Sequence, residues 1–141
     1  MKHLFGGTLR TEIVQSSIHH CRSKCVLIDQ VKNIKLNNNV IASAANNHIE
    51  LLTKDNLKVT ITYNLMIDAH NSAFTSPSRK VSCFSWRQTV YTTTNEATIS
   101  NNLCSGSTGR GFNIHYEKCN KKKYSVYKDN TAGSSPIGFE L

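Results

Sequence analysis

The 141-residue sequence has no run of about 18 apolar residues, so it offers no helix long and apolar enough to cross a bilayer. Its opening residues, Met1-Lys2-His3-Leu4-Phe5-Gly6-Gly7, lack the apolar segment of a secretory signal. These two absences predict a soluble chain as it stands, whether or not a leader or anchor once preceded it. A phosphate-binding loop of the Walker type is missing as well. The glycine-rich stretch Ser105-Gly106-Ser107-Thr108-Gly109-Arg110-Gly111 lacks the Gly-Lys-Ser/Thr ending, and strand-like rather than helical sequence follows it. That stretch reads as a mobile inter-strand loop, with an anion-holding nest of backbone amides as the sharper alternative. No second Cys/His pair accompanies His19-His20-Cys21-x-x-x-Cys25, so a zinc site there lacks half its ligands and no metal or other cofactor is expected. No internal repeat, coiled coil or linker is evident, and one domain over residues 1–141 is expected.

Acidic residues are scarce. Nine Asp and Glu face 17 Lys and Arg, which gives a formal charge of +8. Such a surface attracts polyanions, nucleic acid, anionic lipid or acidic glycan among them. The excess concentrates late in the chain, on Arg110, Lys118, Lys121, Lys122, Lys123 and Lys128.

What the chain does have is alternation. From Leu57 to Asp68 the odd positions (Leu57, Val59, Ile61, Tyr63, Leu65, Ile67) are apolar, and all even ones except Met66 are polar. Successive side chains of a strand point to opposite faces, so this pattern predicts one long half-buried strand. Strands of parallel sheets are usually apolar on both faces, so the pairing predicted here is antiparallel. The partner would be residues 48–53 across a Lys54-Asp55-Asn56 turn. Further strand-like pieces include Ile34 and Leu36 about Lys35, residues 81–93 with Phe84 and Trp86 on one face, Ala97 to Leu103, a hairpin over 110–128, and a closing strand at Ile137, Phe139 and Leu141.

Residues 8–30 read differently. Thr8 can cap a helix, and Val14, Ile18, Cys21, Cys25 and Ile28 recur at steps of four and three, an apolar stripe. The expected fold is therefore α+β: an N-terminal amphipathic helix over 8–30, packed on a mainly antiparallel sheet formed by the β-rich region 31–141, as a sandwich or partial barrel. This element order resembles that of the soluble domains of pilin-like assembly subunits. The resemblance implies an assembly role.

Five cysteines (Cys21, Cys25, Cys83, Cys104, Cys119) leave one thiol unpaired under full oxidation. A bridge among Cys83, Cys104 and Cys119 would suit an extracellular or surface location over the cytoplasm, and free buried thiols would suit a reducing one.

For function, the leading expectation is a non-enzymatic binding or assembly subunit, a surface, pilus-like or virion component. Its hairpin cations Arg110, Lys118, Lys121, Lys122, Lys123 and Lys128 would hold nucleic acid or another polyanion, with Tyr127 available to stack. The alternative is a small metal-independent ribonuclease or nuclease-type toxin. His115 and Glu117 lie two apart on one strand face and would exchange protons with the 2′-hydroxyl and the leaving oxygen, while Arg110 clamps the phosphate. A third reading is a structural subunit that binds only its own copies.

Overall fold

The computed structural model describes residues 2–4, 10–29, 31, 33–53, 58–71, 81–88, 96–114 and 125–140. Every regular element among them is a β-strand, and every pairing is parallel. Sheet I contains β1 (Lys2–Leu4), β4 (Val26–Asp29), β7 (Ile49–Thr53), β10 (Ser82–Gln88), β13 (Arg110–Ile114) and β16 (Ile137–Glu140), in that order. Sheet II runs β2 (Thr11–Val14), β5 (Asn33–Asn37), β8 (Lys58–Thr62), β11 (Glu96–Ser100) and β14 (Val126–Lys128). Sheet III runs β3 (Ser17–Cys21), β6 (Val40–Ala44), β9 (Leu65–Ala69), β12 (Leu103–Ser105) and β15 (Thr131–Gly133). The chain visits I, II and III in turn and then climbs one strand, so the molecule is a three-sided β-solenoid.

The core is the space between the three sheets, and it is filled by rows of like residues in register. Val26, Ile49, Phe84, Phe112 and Phe139 form one row of sheet I. Ile13, Leu36, Ile61, Ile99 and Tyr127 form one of sheet II. Ile18, Ile41, Met66, Cys104 and Ala132 form the central row of sheet III. Most of these side chains are fully buried. The bridge from Cys83 of sheet I to Cys104 of sheet III crosses this core, and both residues are inaccessible. A second bridge, Cys21–Cys25, spans the corner between β3 and β4.

The corner from sheet II to sheet III recurs on every turn with the same chemistry. A left-handed residue comes first, at Gln15, Asn38, Tyr63, Asn101 and Asp129, with φ between 49° and 57°. The next residue is Ser16, then Asn39, Asn64, Asn102 and Asn130 on the turns that follow. Asn39 Oδ1 accepts from the Ser16 N–H at 3.0 Å, Asn64 Oδ1 from the Asn39 N–H at 3.1 Å, Asn102 Oδ1 from the Asn64 N–H at 3.0 Å, and Asn130 Oδ1 from the Asn102 N–H at 3.1 Å. The side-chain amides of Asn39, Asn64 and Asn102 donate up the same column, each at 2.9 Å. The amides of all four asparagines also reach back to the carbonyls of Ile13, Leu36, Ile61 and Ile99 on the preceding turn, at 2.8–3.1 Å. A buried corner thus satisfies its backbone groups through a ladder of amides.

These observations correct the sequence-based architecture. Residues 8–30 are not a helix where described: they hold β2, β3 and β4, one strand of each sheet. The stripe at helical spacing arose because two corners interrupt three short strands, and of its members Val14 is 39% exposed. The element order that resembled pilin-like subunits is therefore absent. The long strand over 57–68 is two strands, β8 and β9, meeting at Tyr63-Asn64. Inward positions are odd before that corner, Val59 and Ile61, and even after it, Met66, so Tyr63 is 59% exposed and Leu65 and Ile67 face outward.

The antiparallel pairing is replaced by parallel ladders. β7 lies between β4 and β10, and β8 between β5 and β11. Half-buried strands of sheets II and III pair in parallel here because the return path is the rest of the turn, and among the described residues no helix covers their outer faces, whereas the strands of sheet I are buried on both faces. The expected hairpin over 110–128 is likewise absent: β13 and β14 belong to different sheets. The turns expected at Lys54-Asp55-Asn56 and at Cys119 lie outside the described residues.

The ladder makes a graded prediction. Asn64→Ala removes the acceptor of the buried Asn39 N–H and the donor to the Leu36 carbonyl, and should cost about 2–4 kcal/mol of unfolding free energy. Asn130→Ala, on the half-buried last rung, should cost about 1 kcal/mol. Urea midpoints measure both, and equal losses would contradict the ladder as the main restraint.

Candidate anion-binding face

The cations singled out from sequence are dispersed by the fold. Arg110 is 8% exposed and pairs through its guanidinium with the part-exposed Glu140 of β16, so its charge is met by a neighbouring strand. Lys128 ends β14 and is exposed on the outer face of sheet II. Lys118, Lys121, Lys122, Lys123, His115 and Glu117 lie outside the described residues. No described observation brings His115, Glu117 and Arg110 together.

The glycine-rich stretch does not leave a nest of open amides. The N–H of Gly106 donates to Gly133, that of Thr108 to Ala69, that of Arg110 to Val81, and that of Gly109 to the Ser107 hydroxyl. Gly109 is glycine for a steric reason: a Cβ there would stand 2.3 Å from the Val81 carbonyl oxygen. Cys21 and Cys25 are bonded to each other, which removes both thiolates from any metal reading. His19 and His20 remain exposed beside them, with their Nδ1 atoms 2.6 Å apart.

The structure gathers a different set on sheet II. On β5, Ile34 and Leu36 go into the core, which sends Asn33, Lys35 and Asn37 outward. On β8, Val59 and Ile61 do the same and leave Lys58, Thr60 and Thr62 on the outer side. Parallel register then sets Asn33 beside Lys58 and Lys35 beside Thr60. Arg10, just before β2, closes the side. These residues line an open hollow of about 220 Å³ bounded by Arg10, Asn33, Ile34, Lys35, Lys58 and Thr60.

The hollow offers three cations, one amide and one hydroxyl to a single anionic group. Glu12 holds Arg10 at 2.5 Å and neighbours Lys35 in register, while Glu96 neighbours Lys58. Neither lysine forms a salt bridge with another described residue, so Lys35 and Lys58 are the charges most available to a ligand. The nearby acids keep the attraction modest and open to screening by salt. Sequence reading placed Lys35 and Lys58 on wet strand faces but had no means of placing them on adjacent strands.

Among the described residues one histidine lies in the interior, away from the hollow. His48 is inaccessible at the corner entering β7, and its Nε2–H donates to the Ile67 carbonyl at 2.8 Å. Its Nδ1 is buried without a hydrogen-bond partner. Burial pushes the imidazole down to about 4, against the opposing pull of that carbonyl and of Asp68. A depressed basic group binds its proton in the unfolded chain first. Stability should therefore fall as pH drops from about 6.5 towards 4, by roughly 3 kcal/mol, and show no further loss from this group below that. His48→Gln keeps the donor and cannot titrate, so its unfolding free energy should follow a flatter pH profile than the natural chain; parallel profiles would contradict the assignment.

Comparison with protein-family models, curated proteins and solved structures found no match to this chain.

Proposed function

We propose that the chain is a non-enzymatic binding or assembly subunit that holds an anionic partner against the outer face of sheet II. The observation that carries this reading is the convergence of Arg10, Lys35 and Lys58 on one hollow, beside Asn33 and Thr60. Ammonium groups on long stems act as point charges for phosphate, sulfate or carboxylate, and the neighbouring amide and hydroxyl supply hydrogen bonds. The parallel register of β5 and β8 fixes the spacing of Lys35 and Lys58. Exposed Lys128 adds a further cation on the same sheet. The net charge of +8 extends the attraction beyond the hollow.

The two disulfides fit an oxidising compartment, which favours an extracellular or surface setting for such contacts.

Binding of heparin, single-stranded DNA and RNA should be measured against salt concentration. Affinity should be present at low salt and fall steeply as salt rises. The double variant Lys35→Ala/Lys58→Ala should weaken binding and reduce the slope of log affinity against log salt by about 2. The triple variant Lys121→Ala/Lys122→Ala/Lys123→Ala tests the cluster that the sequence favoured. No binding at low salt would defeat the proposal, and loss confined to the triple variant would move the site off sheet II.

A further inference from the structure

The outer face of sheet III differs from that of sheet II in charge. Parallel register sets Ser17, Val40, Leu65, Leu103 and Thr131 in one outward row, and His19, Ala42, Ile67, Ser105 and Gly133 in the next. Neither row holds a Lys, Arg, Asp or Glu, whereas the outer side of sheet II carries Glu12, Lys35, Lys58, Glu96 and Lys128. Apolar surface gathers on the same face. Val40 and Leu103 are each 43% exposed and Ile67 is 38% exposed, with Tyr63 at the margin at 59%. A contiguous patch of this kind gains free energy when a second surface covers it.

The two rows are complementary to themselves. A two-fold axis laid along β9 turns the face onto a second copy, keeps each row opposite its own counterpart, and exchanges the strands on either side of β9. Leu65 and Ile67 then meet their own counterparts, Val40 meets Leu103, and Ser17 meets Thr131. In the other row the His19 ring meets Gly133, which has no side chain, and Ala42 meets Ser105. Aliphatic groups face aliphatic groups, hydroxyls face hydroxyls, and the largest ring faces the smallest residue. An isologous contact demands this kind of match. Asp68, at the corner leading to sheet I and 3.3 Å from the His70 ring, comes opposite its own counterpart.

We propose that two copies of this chain associate face to face through the outer side of sheet III, about a two-fold axis along β9. The occupant is a second copy for a reason of charge. Each chain carries +8, so approaches through the lysine-bearing side bring cations together, and the face free of lysine and arginine is where repulsion is least. Five strands about 4.8 Å apart and five residues at about 3.3 Å make a face of roughly 24 by 16 Å, so the pair covers about 800 Å² in all. Tight complexes bury about 1,200–2,000 Å², so this contact is reversible and fills at high protein concentration. It closes on itself as a dimer and leaves the sheet II face of each copy open.

This proposal deepens the assembly half of the reading above and involves no anionic partner, so either can fail alone. Sedimentation equilibrium of the full chain over rising concentration should reveal a monomer–dimer equilibrium. It should tighten as salt rises, because salt screens the repulsion between two chains of charge +8. Leu65→Lys sets like charges against each other on the axis and should weaken the dimer about tenfold or more. The urea midpoint of that variant separates lost contact from lost fold. Val40→Lys and Leu103→Glu should each weaken the dimer as well. Combined in one chain, they bring the introduced ammonium opposite the introduced carboxylate and should restore association above either single variant, an effect that general destabilisation does not produce. Asp68→Asn removes a like-charge contact and should tighten the dimer. A monomer at every concentration, growth beyond a dimer, or a double variant no stronger than the single ones would each overturn the proposal.

Discussion

A solenoid corner is backbone bent inside the protein, and its N–H and C=O groups have no strand partner within their own turn. Asn39, Asn64 and Asn102, each 2% exposed or less, answer that problem by hydrogen-bonding backbone on the turn below and side chain on the turn above. Unsatisfied groups at such a depth would each cost about 1–3 kcal/mol, a large share of the stability of a chain this size. The ladder therefore locks the register of sheets II and III together. Once the register is locked, the core rows and the outer charges have fixed positions.

The same corner decides which side chains reach solvent. Its left-handed residue and buried amide shift the inward parity between sheets. The inward residues are Val59 and Ile61 before Tyr63-Asn64, and Met66 after. Residues that would have been core on an unbroken strand become surface, which is why Val40, Ile67 and Leu103 stand roughly two-fifths exposed. The outer face of sheet III is accordingly apolar and small, with Val40, Leu65 and Leu103 in one row between Ser17 and Thr131. Sheet II keeps lysines in the corresponding outward places.

Strand content was legible in the sequence where one strand fitted within one run of alternation. Ile34, Lys35 and Leu36 declared their faces, as did Phe84 with Trp86, and Ile137 with Phe139. The parallel architecture was not legible, because alternation measures burial of one face and says nothing of chain direction. The helix expected at 8–30 came from reading through corners: a parity shift inside short strands mimics steps of three and four. A repeat was present but stretched. The rungs lie 23, 25, 38 and 28 residues apart, so no fixed period stands out. The pattern that survives is an apolar residue, two others, a small polar residue, one other and an inward residue. It runs from Ile13-x-x-Ser16-x-Ile18 through Leu36-x-x-Asn39-x-Ile41, Ile61-x-x-Asn64-x-Met66 and Ile99-x-x-Asn102-x-Cys104 to Tyr127-x-x-Asn130-x-Ala132. That signal would have located the corners and, through them, the hollow. Lys35 and Lys58 are 23 positions apart in the chain and become neighbours only when one turn is laid on the next.

The anion-binding face owes its form to the same geometry. Parallel strands stack at about 4.8 Å, so the outward lysines of β5 and β8 stand about one strand spacing apart. The hollow alone, with Glu12 and Glu96 beside its cations, is a weak site. Lys128, exposed on the same sheet, offers a long polyanion a further contact, which is intramolecular and draws on a high effective concentration. The modest charge of the hollow then works in favour of selectivity. A short anion gains one weak contact, whereas a long polymer gains many, and each neutralised charge adds its share of counterion release.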